Sequence, residues 1–248
     1  MRLAWGPEEE AFRAELDAFL DEHAPPEALA GRDWEGEGED LIPAWLRAWQ
    51  ATLFDHGWMV PSYPPELGGR NATPVQTLIY MEPLAERGIP RSGNFPGYAI
   101  VAPSLLEFGT EEQRRLVPAA LRGDTIWCIG MSEPGAGSDL AALATRAELR
   151  GDRFVVNGQK VWTSYATVAE KCFCYVRTTP LSEAPKHKGI SVLIIDMDTP
   201  GIEVRPLRHI TGAAGFAEVF FTDVEVPVEN LVGRLNDGWR ITMSSLGH

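Results

Sequence analysis

Basic residues are scarce in this chain: 22 lysines and arginines stand against 35 aspartates and glutamates, for a formal charge of −13. An acidic surface does not neutralise a phosphate backbone, which excludes nucleic acid as a partner. A phosphorylated cofactor is not excluded, because local amides and a few cations suffice to hold it. Cysteine is scarcer still. Cys128, Cys172 and Cys174 are odd in number and lack a framework spacing, so a disulfide scaffold is excluded and reduced thiols in a cytoplasmic location are expected. Cys172 and Cys174 lie two apart in an apolar run, as small core residues on one face of a strand. No run of about 18 apolar residues occurs, so no membrane span is expected. Glu8, Glu9 and Glu10 come early with no apolar core behind them, which excludes a signal peptide. Internal repeats and low-complexity tracts are missing too.

Several catalytic signatures are also missing. Gly135-Ala136-Gly137 contains G-x-G, but Leu140 stands at the third glycine position and no βαβ unit surrounds it, so a dinucleotide fingerprint is rejected. The segment 130–134 around Ser132 lacks the second glycine of a nucleophile elbow. The five histidines, His23, His56, His187, His209 and His248, have no carboxylate at suggestive spacing, and nothing near the cysteines completes a metal site.

What is present divides into two textures. Residues 1–123 read as helical. Pro7 and three glutamates mark a helix start, and Phe12, Leu16, Phe19 and Leu20 share one face behind it. Residues 24–40 read as a polar loop. A second helix covers 42–54, with Trp45, Leu46, Trp49 and Leu53 as its apolar stripe, and 57–69 is an irregular connection broken by prolines and glycines. Helices are expected over 74–87, capped by Thr73, over 98–108, and from a capping box at Thr110 and Gln113 to Arg122. After Asp124 the pattern shortens to strands: 125–131, 143–149, 154–162, 171–178, 190–197, 202–207 and 218–226. Asn157-Gly158 inside the third predicts a type I′ hairpin turn. Seven or so strands without intervening helices read as a β-barrel or sandwich. Residues 237–248 return to helical spacing through Trp239, Met243 and Leu246, and the chain reads as stopping at His248 inside an unfinished helix. The fold class is therefore α+β, with domains expected at 1–123 (helical), 124–232 (β-barrel) and 233–248 (the start of a further helical domain).

Two segments carry the chemistry. Residues 131–139, Met-Ser-Glu-Pro-Gly-Ala-Gly-Ser-Asp, form a glycine-broken loop with hydroxyls at Ser132 and Ser138. Such a bend can hold an anion or a polar ring edge, and it is equally what a ligand-free turn looks like. Residues 162–164, Trp-Thr-Ser, set an indole beside two hydroxyls, suited to stacking on an aromatic cofactor or simply to core packing. The pair, about thirty residues apart, is more specific than either part.

On these residues the chain resembles the acyl-CoA dehydrogenase family. Segments 57–69, 108–113, 131–139, 157–164, 200–202, 220–227 and Gly238-Trp239 carry the likeness collinearly over nearly the whole chain. Residues 143–146, 186–190 and 205–208 are similar to bacterial members, some of which act on bulky or branched acyl-CoAs, including sterol side chains. The resemblance implies a helical N-terminal domain, a middle β-barrel and a C-terminal four-helix bundle that this chain lacks. FAD would lie between the latter two in a homo-oligomer. Ile129, Met131 and Ser132 would meet the flavin pyrimidine edge, partly through backbone, and Trp162 would flank the ring. Ser164, where the family often has Thr, would approach flavin N5, beside Thr163, which replaces an apolar residue. Ser138 would meet the CoA moiety.

The implied reaction is α,β-dehydrogenation of an acyl-CoA, with the proton leaving Cα as hydride passes from Cβ to flavin N5, and with electron-transfer flavoprotein or a similar acceptor as partner. The family's base is a glutamate of the C-terminal domain. On the register of the last helix it would follow His248, so no catalytic residue is assigned here, and Glu133 inherits no base role. Two other readings stand beside this one: a split or non-enzymatic subunit that binds acyl-CoA and FAD with a related partner chain, and a flavin oxidase or monooxygenase on the same fold.

Overall fold

The computed structural model describes residues 5–29, 41–210 and 212–245. The part of the expected 24–40 loop from residue 30 to residue 40, and Leu246 and His248 of the last expected helix, lie outside the described residues. Chain contacts divide the molecule into two compact units.

The first unit comprises the described parts of Met1–Trp34, Ile42–Gly93 and Leu121–Asp124. Helix α1, Pro7–His23, buries the four residues its periodicity selects, Phe12, Leu16, Phe19 and Leu20. A short turn of helix, α2, Pro26–Leu29, follows. Helix α3, Ala44–Asp55, buries Leu46, Trp49 and Leu53, whereas Trp45 is only half-buried. Trp58, from the irregular connection, stacks on Tyr80 and meets Phe12 edge-on, with the Arg70 guanidinium 3.5 Å above its ring. Helix α4, Pro74–Arg87, starts at a reciprocal capping box: Gln76 N–H donates to Thr73 Oγ1 at 3.2 Å, and Thr73 N–H to Gln76 Oε1 at 2.9 Å. Thr73→Ala should therefore cost this helix about 1 kcal/mol, seen as a lower denaturant midpoint at constant slope. An unchanged midpoint would refute the cap.

The second unit comprises the described parts of Glu35–Leu41, Asn94–Ala120 and Thr125–His248. The helix expected over 98–108 is α5, Ala102–Phe108, preceded by a wide turn over Gly97–Val101 in which Ala102 N–H bonds Gly97 O, five residues back. The cause is Pro103. It has no N–H, and its ring would strike the carbonyl four residues earlier in a regular helix. The single helix expected from Glu111 to Arg122 is two, α6, Glu111–Arg114, and α7, Val117–Arg122. Pro118 accounts for the break, since in the first turn of a new helix its missing N–H costs nothing. Besides closing the expected capping box, Gln113 donates from Nε2 to Glu229 O and Leu231 O, tying α6 to the sheet's last segment.

Among the described residues the sheet has eight strands: β1 Trp127–Gly130, β2 Arg146–Arg150, β3 Arg153–Ser164, β4 Lys171–Arg177, β5 Ile190–Asp196, β6 Ile202–Leu207, β7 Phe216–Pro227 and β8 Leu231–Val232. Their order is β6-β7-β3-β2-β4-β5-β8, with β1 parallel to β4. Inward residues of β1, β2, β3, β4, β5 and β7 share one core, so the sheet curls around it as the barrel reading anticipates. Cys128, Cys172 and Cys174 are free and buried in that core. Helix α8, Gly238–Ser245, closes the described chain.

A further expectation is overturned in the sheet. Asn157-Gly158 is not a hairpin turn, because β3 runs straight through it, paired to β2 on one side and β7 on the other. The turn lies six residues earlier, at Gly151-Asp152, between the paired Arg150 and Arg153. Gly151 has φ +65° and Asp152 has no positive φ, the pattern of a two-residue turn with glycine first. Asn157-Gly158 instead faces a bulge on β7. The Asn157 side chain closes it by donating to Asp223 Oδ1 and accepting from Asp223 N–H, both at 3.0 Å.

Candidate functional site

Strand alternation dictates which residues near the end of β3 share a face, and a second bulge changes the dictate. Lys160 pairs with Val219 and Thr163 with Ala217, so β3 carries one extra residue between them. Trp162 absorbs it with φ +58°. Left-handed backbone at a bulky residue is costly, of order 1–3 kcal/mol, and such positions gather at binding sites. Here the bulge turns Trp162 outward, 59% exposed, with its ring edge-on to Phe216 at 6.1 Å. Tyr165 also has positive φ, so two left-handed residues bracket Thr163 and Ser164.

Trp162 and Ser164 face a cavity of about 250 Å³, lined also by Ile129 of β1, by Met131 and Ser132 just beyond it, and by Phe95, Pro96 and Ile100. Five of the seven residues singled out from the sequence thus converge on one site. The Ser132 and Ser164 hydroxyls make no hydrogen bond to the described residues. Ser164 also lines an adjoining hollow of about 210 Å³ with Tyr165, His209, Gly215 and Phe216. Thr163 points the other way: it is 1% exposed and its buried hydroxyl has no partner among the described residues. Ser138 is exposed and lines neither hollow.

Phe95, Pro96 and Ile100 carry no motif that marks them in the sequence. Their wall is fastened by Asn94, whose amide acts as a surrogate strand residue: Nδ2 donates to Trp127 O at 2.8 Å and Oδ1 accepts from Trp127 N–H at 3.0 Å. The available signal was Pro103 two residues past Val101, since wide turns of this kind recur at functional sites.

The 131–139 loop is shaped less by its glycines than by its glutamate. A Cβ at Gly135 or Gly137 would meet no atom within 4 Å, and neither has positive φ. The bend is instead closed by Glu133 and Ala136, which exchange both backbone hydrogen bonds. Glu133 then turns inward. Its carboxylate accepts from Ala144 N–H at 2.6 Å, from Thr145 N–H at 2.9 Å and from Lys160 Nζ at 2.8 Å. Lys160 is fully buried. Burial alone would raise the Glu133 carboxyl, but the Lys160 charge and these donors outweigh it and hold it below the usual carboxylate range.

A larger depression, of about 540 Å³, lies at Ala166, Thr167, Ala169, Glu170, Asp196, Met197, Asp198 and Val204. None of the seven residues singled out from the sequence lines it, so size does not make it the site. Among the described residues no group of three or more His, Cys, Asp or Glu side chains could hold a metal ion. No helix among them is long and apolar enough to cross a membrane.

Residues 6–124 match the family model of the acyl-CoA dehydrogenase N-terminal domain, and residues 128–224 that of the middle domain. The acyl-CoA dehydrogenase IpdE1 of Mycobacterium tuberculosis is 40% identical over 240 residues, covering 96% of this chain and 62% of that protein. The acyl-CoA dehydrogenase FadE34 of the same organism is 47% identical over 200 residues, covering 80% of this chain and 28% of that protein. Among solved structures, the Tcur3481-Tcur3483 steroid ACAD is similar with a TM-score of 0.83 and 34% identity, over 100% of this chain and 62% of that one. A chain of the ChsE4-ChsE5 complex from Mycobacterium tuberculosis gives 0.80 and 35%, over 100% and 61%. The chain spans less than two thirds of the length of these relatives.

Proposed function

The chain belongs to the acyl-CoA dehydrogenase family, and on that premise we propose that it supplies the flavin-facing wall of an FAD-dependent enzyme that dehydrogenates an acyl-CoA thioester between Cα and Cβ. The observation that carries this reading is the convergence of Ile129, Met131, Ser132, Trp162 and Ser164 on one cavity. Two hydroxyls with no hydrogen-bond partner among the described residues, an apolar floor and an exposed indole fit a planar ring with a heteroatom edge. Ser132 and Ser164 would hold that edge, and Trp162 would cover the ring. FAD, when bound, supplies the hydride acceptor. Ser138, on the exposed side of the same loop, is assigned to the CoA moiety. Thr163 takes the role of a buried anchor for the strand end rather than a direct contact.

No residue lining the cavity is a carboxylate, and Glu133 is occupied by Lys160 and two backbone amides. The α-proton is therefore assigned to a base outside the described residues. A cavity of 250 Å³ is also below the ~300–1,000 Å³ that encloses a drug-sized ligand, so other chain segments or subunits would cover the rest. The domain scheme 1–123, 124–232 and 233–248 follows the same family pattern.

Bulky, steroid-like acyl-CoAs are the proposed substrates, supported by the likeness to a steroid ACAD. A related subunit is a proposed partner, supported by the likeness to the ChsE4-ChsE5 complex. A homo-oligomer is the alternative assembly, and electron-transfer flavoprotein is the proposed acceptor. The test is titration of the intact protein with FAD, followed by anaerobic addition of fatty and steroid acyl-CoAs. FAD binding and bleaching of its visible band are expected. A protein that binds no FAD, alone or with its copurifying subunit, overturns the proposal, and rapid oxygen consumption would reassign it as an oxidase.

A further inference from the structure

We propose that Lys160 is a positioning residue of this site: by holding the Met131 carbonyl from inside the sheet, it aims the Ser132 backbone N–H at the cavity as a preset donor to the bound flavin ring. The inference rests on the flavin reading and goes beyond it to a residue that does not itself line the site.

Met131 C=O and Ser132 N–H belong to one peptide unit. The Met131–Ser132 peptide is trans, so the two groups point in opposite directions. Lys160 Nζ lies 3.2 Å from Met131 O, and Lys160 is fully buried. The carbonyl is thus drawn inward, which sends the N–H outward, to the side where Met131 and Ser132 line the cavity. The next peptide is pinned from the same strand, because Ser132 O accepts Val161 N–H at 2.9 Å. Lys160 and Val161 are consecutive on β3, so that strand sets both peptides flanking Ser132.

The ammonium is itself held. Glu133 Oε1 accepts from it at 2.8 Å, and the same carboxylate is fastened to Ala144 and Thr145 N–H. A buried ion pair is a poor device for stability alone, since apolar residues of similar volume do as well or better. It is a good device for direction: a charge-assisted bond to a carbonyl fixes the peptide plane and polarises its N–H into a stronger donor.

The experiment compares the intact wild-type protein with Lys160→Met and with the double variant Lys160→Met/Glu133→Gln, which leaves no unpaired charge if the single variant fails to fold. Each is titrated with FAD, and the visible flavin band and midpoint potential are recorded. Both variants should bind FAD about tenfold or more weakly, with a shifted band and a lowered midpoint potential, because a donor to the electron-rich reduced ring is misaligned. The ligand-free double variant should melt close to wild type. Wild-type affinity in a folded variant overturns the proposal. Weaker binding with band and potential unchanged also overturns it, as that is what simple loosening of the fold produces. Failure of the wild type to bind FAD sinks the flavin reading itself, whereas equal binding by wild type and variants sinks only the role of Lys160.

Discussion

Replacing Glu133 with leucine is expected to destabilise the sheet unit by about 3–5 kcal/mol, because it leaves the fully buried Lys160 ammonium without a counter-charge. It also strands the Ala144 and Thr145 amides that Glu133 accepts. Chemical denaturation should show this as a lower midpoint with little change in slope. Adding Lys160→Met should recover the part of the loss that comes from the unpaired ammonium and leave the part that comes from the two stranded amides, and a loss below about 1 kcal/mol in the single variant would show that water reaches the site. The pair also makes stability depend on pH. Glu133 sits below its unfolded value, so its contribution is complete above the ordinary glutamate pKa, near 4.3, and fades as pH falls through the depressed folded value. The acid limb of the wild-type stability curve should therefore be steeper than that of the apolar double variant, and parallel limbs would contradict the assignment.

Gly158→Ala should cost about 3 kcal/mol or more, and Gly151→Ala only about 1. Both glycines follow or lead a turn-like dipeptide, but their surroundings differ. Gly151 sits at φ +65° with no atom within 4 Å of an added Cβ, so alanine meets only the left-handed backbone cost. Gly158 sits at φ +154°, a conformation nearly restricted to glycine, and an added Cβ would lie 2.6 Å from the Thr145 Cα and 2.5 Å from its Oγ1. Backbone cannot swing aside as a side chain can, so the strain adds to the conformational cost. Thermal unfolding of the two variants decides it. If Gly151→Ala proves the more damaging, the turn and the bulge have been exchanged.

That contrast also shows where sequence reasoning stops. Asn157-Gly158 and Gly151-Asp152 are both acceptable two-residue turns by local chemistry. What selects between them is pairing with β7, some 60 residues later, where Asp223 meets the Asn157 side chain. Local propensity carries no record of that partner. The α1 stripe and the Thr73 and Thr110 capping boxes were legible because each is complete within a few residues. Pro103 and Pro118 break the expected helices for equally local reasons, a missing N–H and a ring that crowds the preceding turn.

The site divides along the same line. Sequence alone determined the α+β order, the two segments whose residues meet at the cavity and, through them, the family. Those signals are runs and motifs, and they survive without a fold around them. Tertiary structure decided how the residues are used. The bulge at Trp162 puts the indole and Ser164 on the cavity and sends Thr163 into the interior. Asn94 brings Phe95 and Pro96 across as the opposite wall. Glu133 of the loop and Lys160 of β3 become one buried pair beneath the Met131–Ser132 peptide. Each outcome depends on which strand lies alongside which, and a one-residue shift in that register turns a side chain from one face of the sheet to the other.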